Sequence, residues 1–185
     1  MRGKTMLGLM LPLSLLPAGQ ALADDGVPSL ATTIAQMPKN LPRAEGPPLD
    51  AAIAAARKAV AACAARGSKV SVLVADVVGK PVVLLSGEGA GVRSQLIAQT
   101  KANIVARFHE ASGLVASRAQ SDPALVAQAA ADPGIGLLRG GGLPVRRGAA
   151  MIGIVAVSGG GLTGDLTLDE TCARVAVADL EAPGK

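Results

Sequence analysis

Two pairs of short β-branched runs, each closed by a glycine turn and each bracketed by helical stretches, predict an α+β fold. Adjacent runs joined by tight turns pair as hairpins, so the expected architecture is a central antiparallel sheet flanked by helices. The expected order is α-ββ-α-α-ββ-α.

Leu49 to Arg66 opens the body as a helix, because alanine dominates it and is the best helix former. Ile53, Ala56, Val60 and Cys63 recur at helical spacing, and Gly67 is a natural stop. Val70, Val72 and Val74 favour a strand over Val70–Val77. A turn at Gly79-Lys80 leads into a second strand, Pro81–Leu85. After the loop Ser86–Gly91, the spacing predicts a long helix over Val92–Ala111, with Leu96, Ile97, Thr100, Ile104 and Phe108 along one side.

Ser112–Gln120 fits no template cleanly. Ser121 or Asp122 caps a short helix with Pro123 in its first turn, where a missing N–H costs nothing. Leu143–Arg147 and Ala150–Val157 form the second hairpin. Thr167–Leu180 closes the chain as a helix, with Asp169 and Glu170 at its favourable dipole end.

The N-terminus reads differently. Arg2 and Lys4 precede the apolar run Met6–Leu16, and Ala21-Leu22-Ala23 supplies the small residues of a signal-peptidase site. Residues 1–23 are therefore expected to be a cleaved signal peptide, placing the protein in the periplasm or outside the cell, with no stable membrane anchor. Cleavage removes two cations and no anions, so the formal charge falls from +4 to +2. Residues 24–48 carry five prolines and read as an extended arm, and 49–182 as the domain. One Phe, no Tyr and no Trp leave no stacking platform for bases, and the cations are dispersed; nucleic acid is not an expected partner. Cys63 and Cys172 either pack as buried thiols or form a bridge that this compartment permits.

Familiar catalytic motifs fail on order or length. Gly159-Gly160-Gly161-Leu162-Thr163-Gly164 matches the dinucleotide glycine pattern, but the chain ends too soon for the second strand and its acidic residue. Ser158 in Val157-Ser158-Gly159 resembles a nucleophile elbow, yet the single histidine lies upstream of it. His109-Glu110 lacks the second histidine of a zincin site. The remaining candidates suit ligand binding. His109 lies about 100° beyond Phe108 on the helical wheel, at the edge of the apolar face, and imidazole is the best axial haem ligand this chain offers. Arg93 and Lys101 either meet ligand carboxylates or stand as ordinary solvated charges. Gly89 and Gly140, Gly141 and Gly142 allow close backbone approach.

Several segments together resemble the GlcG/HbpS-like family, which also occurs as the C-terminal domain of PduO-type proteins. They are Leu49-Asp50-Ala51-Ala52, the strand and Asp-x-x-Gly turn at Val70–Gly79, the Ala-x-x-Lys-Ala helix at Ala98–Phe108, and Gly140–Val145. Ile152–Gly159 and the Asp-Glu-x-Cys-Ala helix start at Leu168–Ala173 complete the set. The resemblance implies a compact domain similar to profilin-like folds, homo-oligomers, and haem or tetrapyrrole binding in some members. It also implies a packing role for Cys172. Taken with the residue reading above, the expectation for this chain is a small-molecule ligand, with haem as cofactor contacted by Gly79, Gly89, Arg93, Lys101, His109 and Gly140–Gly142. His109 would be the iron ligand. The alternatives are an enzyme degrading bound haem, or a ligand-free oligomeric accessory protein. The chain departs from the family pattern at Leu84–Gly87 and at His109–Ser112, both possible ligand surfaces.

Overall fold

The computed structural model describes residues 35–36, 44–136, 138–163 and 167–183. Residues 1–23, expected as a signal peptide, most of 24–48 and Gly164 lie outside the described residues. The elements are α1 (Leu49–Ala64), β1 (Ser71–Ala75), β2 (Pro81–Ser86), α2 (Val92–Phe108), α3 (Ser112–Ala119) and α4 (Pro123–Ala131). They continue with β3 (Gly142–Arg147), β4 (Ala150–Ser158), a 3-10 turn at Gly160–Thr163 and α5 (Leu168–Glu181).

Both predicted hairpins form, and they join through an antiparallel β1–β4 pairing into one sheet of order β2-β1-β4-β3. The α+β architecture with a central antiparallel sheet is thus the one read from the sequence. Prolines fall only on the edge strands, Pro81 opening β2 and Pro144 within β3, where a missing donor is tolerated. The first hairpin is pinned by Asp76: its Oδ1 accepts from Val78 N at 3.1 Å and Lys80 N at 2.8 Å. Gly79 completes that turn at φ +81°.

Alternation splits the central strands between two layers. Val70, Val72 and Val74 pack with Val155 and Val157 against α1 and α5, while Leu73, Ala75, Ile154 and Ala156 meet α2 on the other face. Cys63 of α1 and Cys172 of α5 are bonded, with Cα atoms 5.7 Å apart, so the open question of the two thiols resolves as a disulfide clamp across one helical layer. A third cluster, Ile104, Val115, Leu125, Ala129 and Ile135, seats α3 and α4 beside α2.

Three expectations shift. The long helix stops at Phe108, because His109 turns left-handed at φ +57°. Ser112–Ala119, ambiguous in sequence, is helical. The buried face of α2 is Ser94, Ala98, Lys101, Ala102, Ile104 and Val105; it shares Ile104 with the expected stripe, but Leu96 is 66% exposed. Close approach decides this: a Cβ on Gly142 of β3 would sit 2.7 Å from the Lys101 carbonyl oxygen, so only small side chains fit between sheet and helix.

Candidate functional site

Helix α2 carries the chemistry. Its N-terminal half, its C-terminal cap and one flank each border a different cavity.

At the N-terminal half, a cavity of about 590 Å³ is bordered by Arg93 and Lys101 of α2, Lys69 ahead of β1, Arg139 ahead of β3, and Ser158 with the glycines after β4. Lys101 is 2% exposed. The solvated reading of this lysine is therefore replaced by a buried one. Its Nζ donates to Asp169 Oδ2 at 2.6 Å and to the Val157 carbonyl at 2.8 Å. Burial pushes its pKa down; Asp169 opposes that shift, and the nearby Arg139 charge adds to it. The second Asp169 oxygen accepts from Gly160 N at 2.7 Å, so one carboxylate ties α5 to α2 and to the turn after β4.

Under this cavity runs a chain of hydroxyls. Ser94 Oγ donates to Gly91 O at 2.6 Å, which leaves it an acceptor for Ser71 Oγ at 2.7 Å. Ser71 Oγ then accepts from Ser86 Oγ at 2.9 Å, and Ser86 accepts from Gln95 Nε2 at 3.0 Å. The start of α2 is thereby fixed to β1 and β2.

At the other end of α2, His109 borders a second cavity of about 590 Å³, between α3, β3 and α5. Its floor is apolar: Leu114, Leu143, Pro144 and Val177. Arg146 and Arg174 stand at its rim. His109 is solvent-exposed, and its backbone is held at both ends. Its N–H donates to Val105 O at 2.8 Å, and its carbonyl accepts from Arg146 Nη2 at 2.7 Å. Both rim carboxylates are engaged. Glu110 pairs with Arg118, and Glu181 Oε1 accepts from Arg146 N at 2.7 Å.

The sequence-derived candidates therefore divide. Arg93 and Lys101 share the first cavity. Gly89, at φ +73°, lies against the Lys69 side chain that borders it, and Gly141 and Gly142 pack directly on Lys101. Gly140 meets Gly113 at the α3 start. Gly79 packs on α2 at Asn103 and Ala106, and Gln99 Nε2 donates to its carbonyl at 2.8 Å, a structural junction. His109 lies eight residues beyond Lys101, roughly 12 Å along the helix axis. Sequence reasoning missed Asp169 as the partner of Lys101, along with Lys69, Arg139, Ser158, Arg146 and Arg174. Only Asp169 carried a signal, since it opens the Asp-Glu-x-Cys-Ala segment. Among the described residues no group of three or more His, Cys, Asp or Glu could hold a metal ion, and no helix is long and apolar enough to cross a membrane.

A four-stranded antiparallel sheet, with a disulfide-clamped helix pair on one face and a cavity-bearing helix on the other, defines this as an α+β sandwich domain. Its relatives are specific. The chain belongs to the HbpS-like family: the family model described as haem degrading protein HbpS-like matches residues 48–178. Among solved structures, HbpS is 33% identical over 78% of this chain and 96% of its own, with a TM-score of 0.64. A double mutant of HbpS from Streptomyces reticuli gives the same identity and TM-score, with 93% of its chain covered. The Klebsiella pneumoniae protein ORFY is 25% identical over 79% of this chain and 97% of its own, at a TM-score of 0.61. A PduOC:haem complex, 24% identical over 70% of this chain and 91% of its own at a TM-score of 0.62, shares the fold. No curated protein matches the sequence.

Proposed function

We propose that this protein is an exported binder of haem or a related tetrapyrrole, whose iron His109 would ligate. The observation that carries the reading is the His109 groove: an exposed imidazole above an apolar floor, between two guanidinium groups. These residues fit a tetrapyrrole. Leu114, Leu143, Pro144 and Val177 suit the apolar macrocycle, and Arg146 and Arg174 suit its propionates, Arg174 sharing its charge with Glu170. The rim carboxylates do not oppose those propionates as free charges, because each is already partnered. When bound, haem would supply the iron-centred chemistry, and the protein would supply ligation, orientation and shielding from water. The membership in a family described as haem degrading supports the same reading.

Haemin titration tests it. No side chain absorbs in the Soret region, so the band reports the haem directly. The mature protein is expected to give a saturable Soret shift that His109→Ala abolishes. No saturable shift would sink haem binding, and an unchanged spectrum in the variant would remove His109 as ligand.

The family description also favours a second reading, degradation of the bound haem. Both groove carboxylates are tied up, so the chain offers no free acid–base pair there, and the cofactor would carry the chemistry. Soret loss under peroxide or reductant, faster than for free haemin, is its signature. Export rests on the leader-like residues 1–23, and self-association on exposed apolar side chains such as Val92 and Leu96, one turn apart on α2. Sedimentation velocity on the mature protein distinguishes an oligomer from a monomer.

A further inference from the structure

We propose that the cavity at the N-terminal half of α2 is a second, separate site for a small organic anion carrying at least two oxyanion charges, a dicarboxylate or a phosphate ester.

Among the described residues, four cations border this cavity, Lys69, Arg93, Arg139 and Lys101, against one carboxylate, Asp169. Both oxygens of that carboxylate are already engaged, by Lys101 and by Gly160 N. Lys69, Arg93 and Arg139 have no ion-pair partner among the described residues. Like charges converging on a concavity repel one another and focus a positive field into it. An anion turns that repulsion into attraction, and the two guanidiniums offer planar forks suited to carboxylate or phosphate oxygens.

Ser158 provides an independent pointer. It is 4% exposed, borders the cavity, and its hydroxyl has no hydrogen-bond partner among the described residues. That hydroxyl keeps access to the cavity, where a ligand oxygen can take the place of water as its partner. Val92 and Ile97 add an apolar shoulder, and about 590 Å³ exceeds what a bare inorganic ion needs. The class that fits is therefore a compact organic body with two charged ends or a doubly charged one. The site stands at the opposite end of α2 from His109, and neither cavity shares a lining residue with the other.

Calorimetric titration of the mature protein with succinate and with glycerol 3-phosphate, at fixed ionic strength and with acetate as the singly charged comparator, tests this. One-site saturable binding of at least one dianion, tighter than acetate, is expected. Arg93 and Arg139 are exposed and have no ion-pair partner among the described residues, so Arg93→Gln and Arg139→Gln should keep the fold, which far-UV circular dichroism checks. Each should weaken binding by about tenfold, the loss of one charge-assisted contact. A response to succinate alone assigns a dicarboxylate site; a response to glycerol 3-phosphate alone assigns a phosphate-ester site. The proposal is overturned if neither dianion saturates, if both variants bind unchanged, or if His109→Ala abolishes binding. Haemin titrated with and without saturating dianion should give the same Soret midpoint, and competition would overturn the separateness of the sites. Failure of haemin to bind at all would leave dianion binding intact.

Discussion

Lys101 and Asp169 form the most consequential pair of residues in the domain. An ammonium and a carboxylate are both taken out of water, and each would be costly alone. Lys101→Met leaves the carboxylate with only the Gly160 N–H, so we expect a loss of about 3–5 kcal/mol, read as a lowered urea midpoint. The pair also sets a pH dependence. Burial lowers the Lys101 pKa from its ordinary 10.5, so the folded protein releases this proton before the unfolded chain does. Between the two values the unfolded state binds more protons, and stability contributed by this group rises with pH. The cost of the buried charge is full below the folded value and is relieved as pH rises from there toward 10.5. The stability difference between wild type and Lys101→Met should therefore widen on the alkaline side; a narrowing difference would contradict this assignment. His109 makes the complementary case. It is the one non-glycine residue with positive φ among those described, at a helix C-terminus where glycine is the favoured residue. His109→Gly should stabilise the fold by about 1 kcal/mol while removing the imidazole, whereas His109→Ala keeps the backbone strain. Melting temperatures of the two variants, measured beside their haemin spectra, separate what the backbone costs here from what the side chain does.

Strand and helix identities were largely legible because each element repeats one signal. Val70, Val72 and Val74 alternate with period two, and the 142–158 hairpin carries its own glycine turn. Helix faces were harder to read. In α2 the large apolar residues Val92 and Leu96 point outward, and alanines point in, because the helix backbone lies almost on the sheet. A wheel weighted by side-chain size therefore selects the wrong stripe. Ser112–Ala119 was equally opaque: its helix is short, and burial of Val115 against Ile104 and Leu125 holds it where local propensity does not. The close contact is testable. Gly142→Ala places a methyl 2.7 Å from the Lys101 backbone oxygen, an atom that cannot swing aside. β3 and α2 must separate, and a destabilisation of about 1–3 kcal/mol is expected, measured by chemical denaturation. A neutral outcome would mean that the helix rests less tightly on the sheet.

At the scale of the whole molecule, the candidate site resisted sequence reading because its parts come from distant positions. Lys101 and Asp169 lie 68 residues apart, and Lys69 and Arg139 enter from connecting segments with no motif of their own. Sequence grouped Lys101 with His109 because one helix carries both; the fold sends them to separate cavities. The disulfide shows the same dependence on tertiary geometry. Cys63 and Cys172 are 109 residues apart, and only the packing of α1 beside α5 brings them together. Closing so long a loop restricts the unfolded chain strongly, and removing a bridge of this kind costs about 2–5 kcal/mol. An oxidising compartment is where such a bridge persists, which couples it to the proposed export. Protein produced with its own N-terminus and exported should have the mass expected for cleavage after Ala23 and no titratable thiol. The leaderless protein recovered reduced from cytosol should titrate two thiols. It should melt roughly 5–15 °C lower and regain that stability on oxidation. Equal melting temperatures for the oxidised and reduced forms would show that the helical layer holds without its clamp, and an uncleaved N-terminus would remove the argument for export.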